Sequence, residues 1–146
     1  MKKLAAVLAL SAAALPALAQ QSVIATKNAP EAIGPYSQAI KVGNTVYLSG
    51  QIPIDPKTGK LMNEASIEEQ TTLVLENLKA VLAADGLTMA NIVSTTVYMK
   101  DLDDFAKMNT VYATYFKDNP PARATVQVAR LPRDVSIEIG AIAVHP

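Results

Sequence analysis

The stretch "PPARATVQVARLPRDVSIEIGAIAV", Pro120 to Val144, holds two strand candidates in a row, and the architecture turns on how they lie relative to each other. In the first, alternation puts Ala122, Ala124, Val126 and Val128 on one face and Arg123, Thr125, Gln127 and Ala129 on the other. In the second, Ile137, Ile139, Ala141 and Ala143 alternate with Ser136, Glu138, Gly140 and Ile142. Read locally, "RLPRD" joins the two as a hairpin. Arg123 opens a polar row, and from this strand alone the plainer explanation is a charge on an edge strand that discourages edge-to-edge pairing.

Working back from Pro120 and Pro121, which stop whatever precedes them, "DLDDFAKMNTVYATYF" reads as a helix. Asp103 is its expected N-cap, and Phe105, Met108, Tyr112 and Tyr115 or Phe116 form its apolar side. "NIVSTTVYMKD" before it is a β-branched strand. "SIEEQTTLVLENLKAVLAADG" is a second helix: Ser66 and Glu69 make a capping box, Ile67, Thr71, Val74, Leu78 and Val81 recur at helical spacing, and Gly86 ends it. Further upstream a short strand is expected around Val23 to Ala25. A pair of strands then meets at Gly43-Asn44, with Val46 and Leu48 on one face of the second strand and Thr45, Tyr47 and Ser49 on the other. The order is β-β-β-α-β-α-β-β. Right-handed crossovers put both helices on one face of one sheet, an α+β domain in two layers. The other sheet face, bearing tyrosine, serine, threonine and glutamine, suits a subunit interface better than a second core.

The first nineteen residues form a separate object. "MKKLAAVLALSAAALPALA" has a basic start at Lys2 and Lys3, an apolar run and a small-residue end, the anatomy of a secretory signal peptide cleaved after Ala19. The apolar run is shorter than the roughly 20 residues that cross a bilayer. The expected organisation is residues 1–19 as leader and 20–146 as one domain, periplasmic and free of the membrane after cleavage. Without Lys2 and Lys3 the basic count falls from 13 to 11 against 13 acids, a formal charge of −2, and no basic run suggests nucleic acid. The chain has no cysteine, which removes disulfides, thiolate metal sites and a lipidated cysteine anchor. The one histidine, His145, stands next to the C-terminus, so histidine triads and multi-histidine metal sites lack material. Catalysis would have to use arginine, carboxylates, tyrosine, hydroxyls, backbone groups and water.

The ordered motifs "NAPEAIGPYSQAI", "LSGQIP", "DLDDFAKMN" and "PPARATVQVARLPRDVSIEIGAIAV", spanning almost all of residues 20–146, resemble the RidA (YjgF) family of enamine and imine deaminases. The resemblance implies a chorismate-mutase-like α+β subunit, a homotrimer with clefts between neighbours, and a last strand inside the sheet instead of a hairpin with the Arg123 strand. It further implies hydrolysis of 2-imino acids and their enamine tautomers to 2-oxo acids and ammonia, with neither metal nor organic cofactor. Arg123 matches the arginine that holds the substrate carboxylate, a role suited to a planar guanidinium fork, and small Ala122 and Ala124 are expected to leave room beside it. Glu138 matches the glutamate near the reacting carbon, the candidate to orient water or move a proton. Tyr36, Ser49, Gly50 and Asn109 match positions that line the cleft, although each could equally be a loop tyrosine, a strand end, a glycine bend or a backbone-capping amide. Many members carry cysteine at the place of Thr125, so here a hydroxyl replaces a thiol. The competing reading is a non-catalytic trimer that binds small carboxylates or acts as a chaperone.

Overall fold

In a computed structural model that describes residues 20–146, the periodicities resolve in chain order into β1 (Gln21–Ile24), β2 (Ala39–Val42), β3 (Thr45–Gln51), α1 (Ile67–Ala83), β4 (Ile92–Met99), α2 (Phe105–Tyr115), β5 (Ala122–Gln127) and β6 (Ile137–Val144). The leader expected at 1–19 lies outside the described residues. No described helix is long and apolar enough to cross a membrane.

The strands form one sheet in the order β1-β2-β3-β6-β4-β5. β6 runs antiparallel to both β3 and β4, while β5 lies at the edge, parallel to β4 across the α2 crossover. The local hairpin reading of "RLPRD" is therefore wrong. Ile137 and Ile139 of β6 are fully buried, and a strand with such a face gains more in the middle of the sheet than at its rim. The chain reaches that place through a tight turn, Pro132–Asp134, in which Arg133 and Asp134 both take the left-handed backbone (φ 57° and 59°). Two consecutive non-glycine residues there store strain.

The helices cover one face. Val74, Leu75, Leu78, Val81 and Leu82 of α1 pack with Met108 of α2 over Val97, Met99, Ile137 and Ile139. Each such side chain contributes about 1.5–3 kcal/mol relative to staying in water. α1 starts as its sequence requires: Ser66 Oγ accepts from Glu69 N–H (3.2 Å) and Glu69 Oε2 accepts from Ser66 N–H (3.0 Å). It ends at Gly86 (φ 72°), where Leu87 N–H reaches back to Leu82 O at 3.0 Å. α2 differs from expectation at its start. Asp101, not Asp103, supplies the capping carboxylate, to Asp103 N–H at 2.8 Å, and a 3₁₀ turn over Leu102–Asp104 precedes the α-helix. The single histidine is structural: His145 Nε2 and Lys41 Nζ converge on Asp85 Oδ2 at 2.5 and 3.1 Å, tying the C-terminal strand and β2 to the end of α1.

The opposite face carries Tyr47, Ser94, Thr96, Tyr98 and Glu138 among Ala122, Ala124, Val126 and Ile142. None of the described elements covers it, and Tyr47 and Val126 remain 50% and 43% exposed.

Candidate active site

β3 and β6 build the first part of the site through a defect in their pairing. Leu48 faces Ala141 and Gln51 faces Ile139, so β3 spends one residue more than β6 over this interval and bulges at Ser49–Gly50. The Glu138 side chain lies against that bulge. A Cβ placed on Gly50 would overlap the Glu138 carboxylate and stand 2.8 Å from its Cδ and 2.9 Å from its Cγ. Glycine is the residue that lets this carboxylate lie flat on the strand. Ser49 clamps the neighbouring loop: its hydroxyl donates to Ser37 O at 2.6 Å, and its N–H donates to Gln38 O at 3.0 Å. Tyr36 then turns back over its own loop, its Oη accepting the Ile33 N–H at 3.2 Å. Buried Gln38 holds the loop from beneath, accepting from Thr26 N–H (2.6 Å) and donating to Pro30 O (2.7 Å).

The result is a cavity of about 380 Å³ lined by Ile33, Tyr36, Ser49, Gly50, Ile52, Pro132 and Glu138. Four of the residues expected from the sequence meet here. Glu138 is half-buried, and desolvation pushes its carboxyl above the ordinary glutamate range. No cation lies among the residues that line this cavity.

Arg123, Asn109 and Thr125 form a second cluster elsewhere. Arg123 pairs with Thr95 across β4 and β5, and Thr95 Oγ1 shares a 2.7 Å hydrogen bond with Tyr112 Oη of α2. The Arg123 row thus faces the helices, whereas Ala122 and Ala124 face the open side and do not make room beside it. Alternation separates two faces but does not say which one the helices cover. The guanidinium lies over the Tyr112 ring at 4.6 Å and near Phe105 at 5.7 Å, and its Nη1 donates to Asn109 Oδ1 at 2.8 Å. Ring stacking and an amide thus hold the fork in place while Arg123 stays exposed. Burial raises the Tyr112 phenol, against smaller lowering influences of Thr95 and Arg123, so it stays neutral as a platform. Thr125 Oγ1 is buried with no hydrogen-bond partner among the described residues, an unmet polar atom two residues from the guanidinium.

Phe105, Asn109 and Tyr112 stand at i, i+4 and i+7 of one helix face. That stripe was visible in the sequence, where its aromatic members read as core. The apolar wall of Ile33, Ile52 and Pro132 carried no comparable signal, because it is assembled from three loops and strand ends.

Glu138 and Arg123 do not meet within one chain. Glu138 is paired with Tyr98 on the open face, whereas Arg123 is paired with Thr95 on the helix face, two strands away and three residues along. At ~4.8 Å per strand and ~3.3 Å per residue the two backbones are separated by more than about 12 Å before the opposite facing is counted.

The family described as Endoribonuclease L-PSP matches residues 26–145. The chain belongs to this family, the RidA/YjgF family. A RutC family protein of Pyrococcus horikoshii is 58% identical over 123 residues, covering 84% of this chain and 97% of the relative. A Salmonella typhimurium relative named 2-iminobutanoate/2-iminopropanoate deaminase is 52% identical, with 84% and 96% covered. Among solved structures, Escherichia coli TdcF with bound serine superposes with a TM-score of 0.82 at 47% identity, covering 86% of this chain and 99% of that one. The E. coli YjgF gene product does so with 0.82 at 50%, with the same coverage. The α+β sheet with two helices is the RidA/YjgF fold.

Within this RidA/YjgF domain the burial of Glu138 has a pH signature. Its carboxyl is raised in the folded state, so below the ordinary glutamate range both folded and unfolded chains hold the proton and nothing is lost. As pH rises through the raised value, the folded state must carry a desolvated charge and stability falls. Glu138→Gln is therefore expected to melt with the native protein near about pH 4 and above it near about pH 7. Thermal denaturation at the two pH values checks this; a variant less stable at neutral pH would show that Glu138 is held by an attraction, not burdened by burial.

Proposed function

We propose that this protein hydrolyses 2-imino acids and their enamine tautomers to 2-oxo acids and ammonia, at a site completed between two copies of the chain in a homotrimer. The observation that carries this reading is the division of the site into complementary halves: a presented guanidinium fork without a reactive carboxylate, and a half-buried carboxylate cavity without a cation. The open sheet face, with exposed Tyr47 and Val126, supplies the surface through which copies would join. The 52% identical relative named as the deaminase and the serine-bound relative, which holds a small amino acid, support the same chemistry.

In this arrangement Arg123 of one copy binds the substrate carboxylate and Glu138 of the next accepts a proton from water. The water oxygen bonds to C2 while the C=N π pair moves to nitrogen, giving a carbinolamine. With the imine entering protonated, that nitrogen is now an amine; the proton on Glu138 passes to it to make the ammonium, and as the C–N pair leaves with ammonia the O–H pair becomes the carbonyl of the 2-oxo acid, the hydroxyl proton returning to Glu138 and from there to solvent. Desolvation raises the Glu138 carboxyl, which makes it a better proton acceptor toward water than a solvated glutamate. The leader read at 1–19 would place this reaction in the periplasm.

The test is ammonia and 2-oxo acid release with imines generated in situ by an amino-acid oxidase. Arg123→Ala and Glu138→Gln are each expected to lose nearly all of the native rate at low imine concentration, and subunits of the two, dissociated and reassembled together, are expected to regain part of it. No release by the native chain would favour a carboxylate-binding module. Release without complementation would place both residues' partners within one subunit and overturn the shared site.

A further inference from the structure

Gln70 of α1 is fully buried, a place that suits a carboxamide only when its polar atoms are met. Its Oε1 accepts the Ser136 N–H at 2.9 Å, and its Nε2 donates to Ala65 O at 2.8 Å, with Asn63 O at 3.2 Å and Ser136 Oγ at 3.3 Å. The chemistry described above uses none of these atoms. Ser136, however, stands two residues before Glu138 and on the same side of the strand.

Glu138 needs support from that direction. β6 emerges from the Pro132–Asp134 turn, whose consecutive left-handed residues Arg133 and Asp134 would relax if released. Arg130 grips Asp134, with Nε to Oδ1 at 2.7 Å and Nη2 to Oδ2 at 3.1 Å, but that exposed pair holds the turn to itself and not to the domain. On the β3 side the register stops at Gln51 and Ile139, so Glu138 has no strand partner there. Among the described strands only β4 pairs this end of β6, at Tyr98 with Glu138 and Met99 with Ile137, and Lys100 N–H continues the ladder to Ser136 O at 3.0 Å. Gln70 supplies the second attachment, from the first turn of a helix that its capping box already fixes.

We propose that Gln70 is a positioning residue for Glu138: its carboxamide clamps Ser136 so that the Glu138 carboxylate stays seated on the Gly50 bulge. This rests on the imine-hydrolase reading, in which Glu138 moves the protons. The clamp touches neither the substrate nor Arg123, so its loss should act on the chemical step and leave binding alone.

Gln70→Met fills the same space without the hydrogen bonds. It is expected to lower kcat about tenfold, a fraction of what a displacement of about 1 Å costs, with KM within about twofold of native. An NMR titration of the Glu138 carboxyl reads the same event without turnover. Burial raises that carboxyl in the native protein, and in Gln70→Met it should move back toward the ordinary glutamate range as the side chain regains water. Asn77→Ala is the control: it removes another buried amide of α1, which donates to Ile54 O at 3.0 Å, and should lower the melting temperature while leaving kcat and the Glu138 titration as they were. If Gln70→Met does not fold, Gln70→Asn, one carbon short of Ser136, is read in the same way. In the native protein the Ser136 amide should exchange with solvent as slowly as the amides of β6 that pair with β4; fast exchange overturns the clamp. So does a Glu138 titration unchanged in the Gln70 variant, or one that Asn77→Ala shifts equally. A shift in the Gln70 variant alone, in a protein that hydrolyses no imine, upholds the clamp and refutes the reaction.

Discussion

Gly50→Ala is expected to lower the kcat of imine hydrolysis by about 100-fold, the scale on which a displacement of about 1 Å in a reacting group acts, with the melting temperature nearly unchanged. The added methyl would occupy the space of the Glu138 carboxylate and crowd its Cδ and Cγ at 2.8 and 2.9 Å. The cheapest relief is rotation of the Glu138 side chain away from the bulge toward the open face. The backbone of β3 and β6 need not move, so folding is spared and the loss falls on chemistry. Because Arg123 is untouched, binding of a 2-oxo acid should persist. Kinetics and a thermal melt on the same preparation check this. Activity within a few-fold of native would mean that Glu138 works from another position, and a large loss of stability would mean that the bulge cannot absorb a Cβ at all.

Arg123→Ala is expected to reduce kcat/KM by about 10³-fold, the consequence of losing ~4 kcal/mol from a hydrogen-bonded charge pair. Arg123→Lys should recover only part of this. Lysine keeps the charge but presents no parallel donors, and its ammonium fits the Tyr112 and Phe105 rings and Asn109 Oδ1 less well than a planar group does. Most of the loss should appear in KM, since the carboxylate that Arg123 binds carries the same charge in substrate, transition state and product. A drop confined to kcat, with KM unchanged, would instead assign Arg123 a part in the proton transfers.

Much of this arrangement is legible in the residues because local rules and burial agree. Ser66 and Glu69 announce the start of α1, Gly86 its end, and the buried stripe from Ile67 to Val81 its inner face. Ile137 and Ile139 mark a strand buried on one side, and the family resemblance, not local pattern, moved that strand from a hairpin to the middle of the sheet. Period-two reasoning failed where the chain breaks period two. Val46 and Leu48 point inward, and strict alternation would send Gly50 inward as well, but the extra residue in the bulge hands that place to Gln51, which is 5% exposed. The open position this creates beside Glu138 follows from strand pairing, which no single strand records. The facing of Arg123 likewise depends on which side α2 covers, a fact about packing. The expected residues themselves were found, but as one set; their separation into two clusters needed the sheet order.

The separation of Arg123 from Glu138 makes the proposed activity a property of encounters between chains and not of chains alone. Each copy would lend one half of a site and borrow the other, so the rate should follow the number of assembled interfaces. Dilution alone could then silence the reaction without unfolding a single domain, and crowding could restore it. Catalysis would then be confined to whatever volume keeps the chain concentrated, and a chain escaping into a larger one would be inert.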